Sequence, residues 1–141
     1  MKKLFRKTNQ KGFTLIELLV VIAIIGLLAS VVLLALNSAR QKSRDAKRLA
    51  DVRQIASAVE LYFNDQSAYP PALASLAPDY LGQIPVAPGP QDGTCTSTQN
   101  TYTYSAAAAD ASTYALTFCL GAVTGGVSPA GVHTLTQGGI Q

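Results

Sequence analysis

One stretch decides most of what this chain can become. From Phe13 to Leu36 run 24 residues whose apolar character is interrupted only by Thr14, Glu17, Gly26 and Ser30. As an α-helix rising 1.5 Å per residue, such a run is about 36 Å long, enough to cross about 30 Å of hydrocarbon with some tilt. Its Leu, Ile and Val residues form no stripe. They cover the helix all round, and a helix of that kind belongs in lipid or inside a bundle. The run exceeds the core of about 7 to 15 residues usual in a secretory signal. The residues after it, Asn37-Ser38-Ala39-Arg40, offer no small-x-small cleavage site. A removed secretory signal is therefore disfavoured, and a retained membrane span is expected.

Charge is distributed unevenly around that run. The 141 residues carry a formal net charge of +3. Five of the 11 basic residues, Lys2, Lys3, Arg6, Lys7 and Lys11, precede Gly12. Without residues 1–12 the balance is 6 − 8 = −2. No Lys or Arg follows Arg53, whereas Glu60, Asp65, Asp79, Asp92 and Asp110 do. The chain is a basic leader, a basic collar from Arg40 to Arg53 and an acidic remainder, so the overall basic balance is not a nucleic-acid signature. Apolar residues make up 48% and charged residues 13%, which excludes a disordered tail, and the length is that of one domain. One His, two Cys and no Trp are too few for most zinc sites or for a Cys/His nucleophile pair. No phosphate loop, metal motif or nucleophile elbow is present. The expectation is no enzyme, no catalytic residue, no metal site and no cofactor.

Glu17 is the exception inside the run. A carboxylate facing lipid is unfavourable by a few kcal/mol at mid-membrane and by less near the interface. It reads either as an interfacial residue favoured by the helix N-terminal dipole or as a charge awaiting a partner; the second is the better default for an intramembrane carboxylate.

The residues Lys11-Gly12-Phe13-Thr14-Leu15-Ile16-Glu17-Leu18, behind a basic leader and ahead of a long apolar run, resemble the signal of type IV pilins and type II secretion pseudopilins. The close resemblance covers roughly residues 7–40. It implies that a prepilin peptidase cuts after Gly12 on the cytoplasmic side and that the new N-terminal residue, Phe13, is N-methylated. Glu17 then holds the family's glutamate position and meets the Phe13 amine of a neighbouring subunit. Glycine suits a protease that must grip the backbone closely. A buried charge pair adds little net stability but is very unfavourable when mispaired, so it acts as a register device. One departure stands out: Leu34 occupies a position where many family members have proline, while Gly26 is kept. The helix thus has less built-in reason to kink, and Gly26 and Ser30 remain its weak points. Basic residues flank the span on both sides, so charge counting does not fix topology; the resemblance does, with the leader in the cytoplasm and the head outside.

After the span the helical pattern continues. The first proline is Pro70, and Leu49, Val52, Ile55, Ala56, Val59, Tyr62 and Phe63 recur at spacings of three and four. Arg40, Arg44, Lys47, Arg48 and Asp51 fall largely off that stripe. The collar reads as a solvated face with contacts to anionic lipid, Asp45 and Asp51 pairing with its bases at helical spacing; a nucleic-acid partner is open but unsupported. Six prolines, from Pro70 to Pro90, mark a stiff loop with a short helical turn around Ala72–Leu76. Thr101–Ser105, Tyr114–Leu120 and Val132–Thr136 read as strands of an antiparallel meander of three or four, with Leu116, Phe118 and Leu120 facing the helix stripe. Cys95 and Cys119 are expected to form a disulfide in this small head. His133 stands alone, Asp79, Asp92 and Asp110 form no evident calcium cage, and the tyrosines pack the head or line its rim.

The expected fold class is α+β: a long N-terminal helix, half transmembrane and half amphipathic, packed on a small antiparallel sheet. The expected segments are a removed leader (1–12), a transmembrane and polymerisation helix (13–36), its amphipathic continuation (37–66), and a proline-rich loop with the β head (67–141). The resemblance implies a pilus-like filament subunit with identical or homologous subunits, the prepilin peptidase, an assembly platform and the inner membrane as partners, ending in an extracellular filament. The rivals are a type II secretion pseudopilin and a single-pass anchored binding module.

Overall fold

The computed structural model describes residues 12–107 and 112–141. The run Ala106–Asp110 and most of the leader therefore lie largely outside the described residues. Two compact units divide the chain, Met1–Asn37 and Ser38–Gln141.

Helix α1 spans Leu15–Gln66. Good helix formers and the absence of proline before Pro70 carry it across Gly26 without a break. At its end Ser67 takes a left-handed φ of 56° and its N–H donates to the Phe63 carbonyl at 2.8 Å, closing the last turn. In the first unit the helix is solvent-exposed along its whole described length, apolar side chains included.

The second unit has a core of its own. After α1 come a 3₁₀ turn, Leu73–Leu76, and four strands: β1 (Thr103–Ala106), β2 (Tyr114–Leu120), β3 (Gly131–Thr136) and β4 (Gly139–Ile140). They form one antiparallel sheet in the order β1-β2-β3-β4. The architecture is the expected α+β, with the sheet at the upper end of the expected strand number. On β2, Leu116, Phe118 and Leu120 are buried in one cluster with Leu49, Val52, Ile55, Ala58 and Val59 of α1, as the two periodicities require. Leu135 of β3 and Tyr69, Leu76 and Leu81 of the connecting loop complete it. Two glycines are dictated by close approach. A Cβ on Gly125 would lie 2.4 Å from Leu49 Cδ2, and one on Gly93, whose φ is +57°, 2.0 Å from the Gly121 carbonyl oxygen. There the proline-rich loop and the β2–β3 turn meet backbone to backbone.

Candidate functional site

The N-terminal end of α1 is built by four residues. Gly12 and Phe13 precede the helix in an exposed, non-helical segment, and nothing lies within 4 Å of where a Gly12 side chain would start. Phe13 is 78% exposed. Thr14 caps the helix. Its Oγ1 accepts from the Glu17 N–H at 3.2 Å, while Glu17 Oε2 accepts from the Thr14 N–H at 2.9 Å and from the Thr14 hydroxyl at 2.6 Å. This is a reciprocal capping box, which satisfies donors that the first turn cannot pair internally. Its sequence signature, Thr-x-x-Glu ahead of an apolar run, is present at 14–17 but is overshadowed in the sequence by the charge of Glu17. Within one chain, Glu17 thus already has a hydrogen-bond partner. Beyond it, the segment to Leu36 presents bare Leu, Ile and Val on every side; the helix is long and apolar enough to cross a membrane.

The head holds a second group of functional-looking residues, and here the solvated-face reading of the collar is corrected for Arg48 and its partners, while Arg40, Lys42, Lys47 and Arg53 remain exposed. Arg48 is 1% exposed and Asp45 0%. Arg48 Nη1 donates to Asp45 Oδ1 at 2.7 Å and to Asp92 Oδ2 at 3.0 Å. Its Nη2 donates to the carbonyls of Pro88 and Pro90 and to Asn100 Oδ1. Asp45 in turn accepts from the N–H groups of Gly121 (3.0 Å) and Ala122 (2.9 Å). Arg44 adds a two-pronged contact to Asp92, its Nε donating at 2.7 Å. Asp45 and Arg48 leave solvent, and Arg44 partly does, because the loop 88–100 folds over the side of the helix that its own apolar stripe leaves uncovered. Asp51, also buried, accepts from Lys47 at 3.1 Å and from the Tyr102 hydroxyl at 2.9 Å. The helical-spacing pairs Asp45–Arg48 and Lys47–Asp51 were legible; the cross-chain partners were not.

Electrostatics follow this geometry. The Arg44 hydrogen bond, then those of Arg48, hold the Asp92 carboxyl below the usual carboxylate range against the opposing effect of burial. Burial first, then neighbouring Asp51, pushes the Tyr102 hydroxyl up. Burial likewise pushes Tyr104 and Tyr114 up to about 12.

Cys95 and Cys119 are joined as a disulfide that pins the loop to β2. Cys119 lies on the face of β2 opposite Phe118. His133 is buried, its ring 5.7 Å from that of Phe118 and its Nε2 2.8 Å from the Pro129 carbonyl oxygen. No group of three His, Cys, Asp or Glu residues suited to a metal ion occurs among the described residues; Asp110 lies outside them, and Asp92 is engaged by the two arginines. The tyrosines do pack the head: Tyr69 lies against Tyr114 and Phe63, and Tyr62 against Tyr80.

Comparison with known proteins addresses the N-terminal half of this arrangement. Curated relatives include the type II secretion system core protein G of Klebsiella michiganensis, 42% identical over 65 residues (46% of this chain and 46% of that protein). The protein of that name from Aeromonas hydrophila is 38% identical over 65 residues, 46% of each chain, and the one from Vibrio cholerae 39% over 70 residues, 50% of this chain and 46% of that protein. The match thus spans less than half the length of each of these relatives. No solved structure matches the chain. Residues 7–33 match the family described as the prokaryotic N-terminal methylation motif, so the resemblance borne by Gly12, Phe13 and Glu17 is a family resemblance to prepilins and secretion pseudopilins.

Proposed function

We propose that the chain is a structural subunit of a pilus-like filament, inserted in the inner membrane as a precursor, cut between Gly12 and Phe13, N-methylated at Phe13 and polymerised through its N-terminal helix. The observation that carries this reading is the coincidence of the methylation motif at 7–33 with a helix whose apolar surface is bare all round. A surface of that kind is stable in lipid and, once extracted, only against other helices like itself. The open, exposed backbone at Gly12–Phe13 is accessible to a peptidase. In the fibre Glu17 exchanges its capping bonds to Thr14 for the free Phe13 amine of a neighbour, so that only one stacking register leaves no unpaired charge.

A second reading, that the filament is a short secretion pseudopilus, is favoured by the names of the matched relatives.

The test is mass spectrometry of the N-terminal peptide in sheared surface material and in membranes. A peptide starting at Phe13 with one added methyl is expected. Its presence in the sheared fraction favours a surface filament; its confinement to the envelope favours the pseudopilus. A chain retaining Lys11-Gly12 in membranes alone overturns both and leaves a single-pass anchored module.

A further inference from the structure

The head sorts its unpaired charges to two ends. Of the six cations that follow the apolar run, Arg44, Lys47 and Arg48 are engaged with carboxylates. Arg40, Lys42 and Arg53 are exposed and take part in no ion pair among the described residues. At the other end of the helical segment the carboxylates gather. Asp65 is exposed in the last turn of α1 and accepts from the Tyr80 hydroxyl at 3.0 Å. Tyr80 lies against Tyr62, their rings tilted at 56°, and brings its exposed neighbour Asp79 to the same end. Glu60 accepts from the Tyr69 hydroxyl. None of the three has a cationic partner among the described residues, and the sequence holds no Lys or Arg beyond Arg53 to supply one. Arg53 and Asp65 are separated by about 18 Å of helix rise, more than twice the Debye length of about 8 Å at physiological salt. Arg53 and Asp65 are therefore too far apart to neutralise each other within one chain.

We infer that, in the assembled filament, the acidic end formed by Asp65 and Asp79 docks on the basic band of Lys42 and Arg53 of a second copy. This rests on the filament reading above. Copies anchored in one membrane share an orientation and cannot meet antiparallel, so an acid-to-base contact between them repeats head to tail. A contact between two different patches, repeated without closing, generates an open helical stack instead of a ring or a dimer. Exposed pairs add little affinity individually; their effect is on encounter and register, and it weakens with salt. The apolar helix surface, the same on all sides, supplies cohesion but little axial specificity of its own. The charged ends act at the level of the heads, beside the register that Glu17 and the Phe13 amine set in the helices.

The experiment compares four full-length chains: wild type, a base-reversed chain (Lys42→Glu with Arg53→Glu), an acid-reversed chain (Asp65→Lys with Asp79→Lys), and a chain carrying all four changes. All four side chains are exposed, so the head fold is expected to survive, and tyrosine emission checks it. Yield is read as the fraction of inserted, Phe13-processed chain recovered in sheared filaments. Each half-reversed chain is expected to fall at least tenfold, and the fully swapped chain to recover to within about twofold of wild type. Wild-type yield from the half-reversed chains overturns the proposal, as does a swapped chain no better than its halves. A loss confined to the base-reversed chain also overturns it and assigns the band to lipid head groups instead. Absence of filaments from wild type overturns the parent reading, and this one with it.

Discussion

Residues 15–36 and 49–59 lie on one helix and draw on the same apolar residue types, Val, Ile, Leu and Ala, yet they meet opposite fates. In the first, every described side chain is exposed. In the second, Leu49, Val52, Ile55, Ala58 and Val59 are almost wholly buried under Leu116, Phe118 and Leu120. Spacing makes the difference. Apolar residues at intervals of three and four form one face, which a small sheet of the same chain can cover. Apolar residues at every position form a cylinder, which no head of this size can enclose, so its burial must come from lipid or from other copies. The first region is completed from outside, the second from within.

Mutation can break this contrast on either side. The largest expected effect is on assembly: Glu17→Val inserts and is processed at Gly12–Phe13, but filament yield drops at least tenfold, as electron microscopy of sheared material will register. On the head side, Arg48→Met strands Asp45, 0% exposed, without its guanidinium partner. Breaking one partner of a buried pair destabilises by about 3–5 kcal/mol. Urea titration in detergent followed by tyrosine fluorescence reads this cleanly, since all six tyrosines lie between residues 62 and 114. Reduction of Cys95–Cys119 reopens a loop of sequence separation 24 and is expected to lower head stability by about 3 kcal/mol on the chain-entropy account, leaving insertion untouched. Acid titration sharpens the comparison further. The folded Asp92 carboxyl binds its proton less readily than the unfolded one, so the unfolded state takes up more protons in the acid range and stability rises with pH there. Its contribution is complete above the ordinary carboxylate pKa of about 4 and fades as pH falls through the lower folded value; Asp92→Asn flattens that limb. The smallest effect is expected from Thr14→Ala, which removes the cap for about 1 kcal/mol but keeps the Glu17 charge. Its filament yield should stay within about threefold of wild type; a loss equal to that of Glu17→Val would reduce Glu17 to a capping residue.

How much was legible follows from how local each signal is. The helix, the 3₁₀ turn and β2 rest on periodicity and on proline positions within a few residues, and the observed ranges Leu15–Gln66, Leu73–Leu76 and Tyr114–Leu120 lie close to those the pattern implies. The candidate site at Gly12–Glu17 is likewise a contiguous motif. Strand β4 escaped because it is two residues long, Gly139–Ile140, and pairs only with the end of β3. The Arg48 cluster escaped for a different reason. Its partners Asp92 and Asn100 lie 44 and 52 residues away, in a loop whose sequence announces stiffness but not direction. Off-stripe charges on an amphipathic helix ordinarily mean solvent, and here a second layer of chain covers them.

The same cluster fixes when the head can fold. Asp45 reaches its amide partners only 76 and 77 residues downstream, at Gly121 and Ala122. A head that emerges in sequence order exposes Asp45 and Arg48 long before β2 has emerged. Until it does, closing the core on that helix would bury a carboxylate without its full set of donors, which is strongly unfavourable. The hub acts as a completion check: under the proposed topology, with the head outside, the head would stay open and threadable during delivery and lock only once Gly121 and Ala122 have crossed.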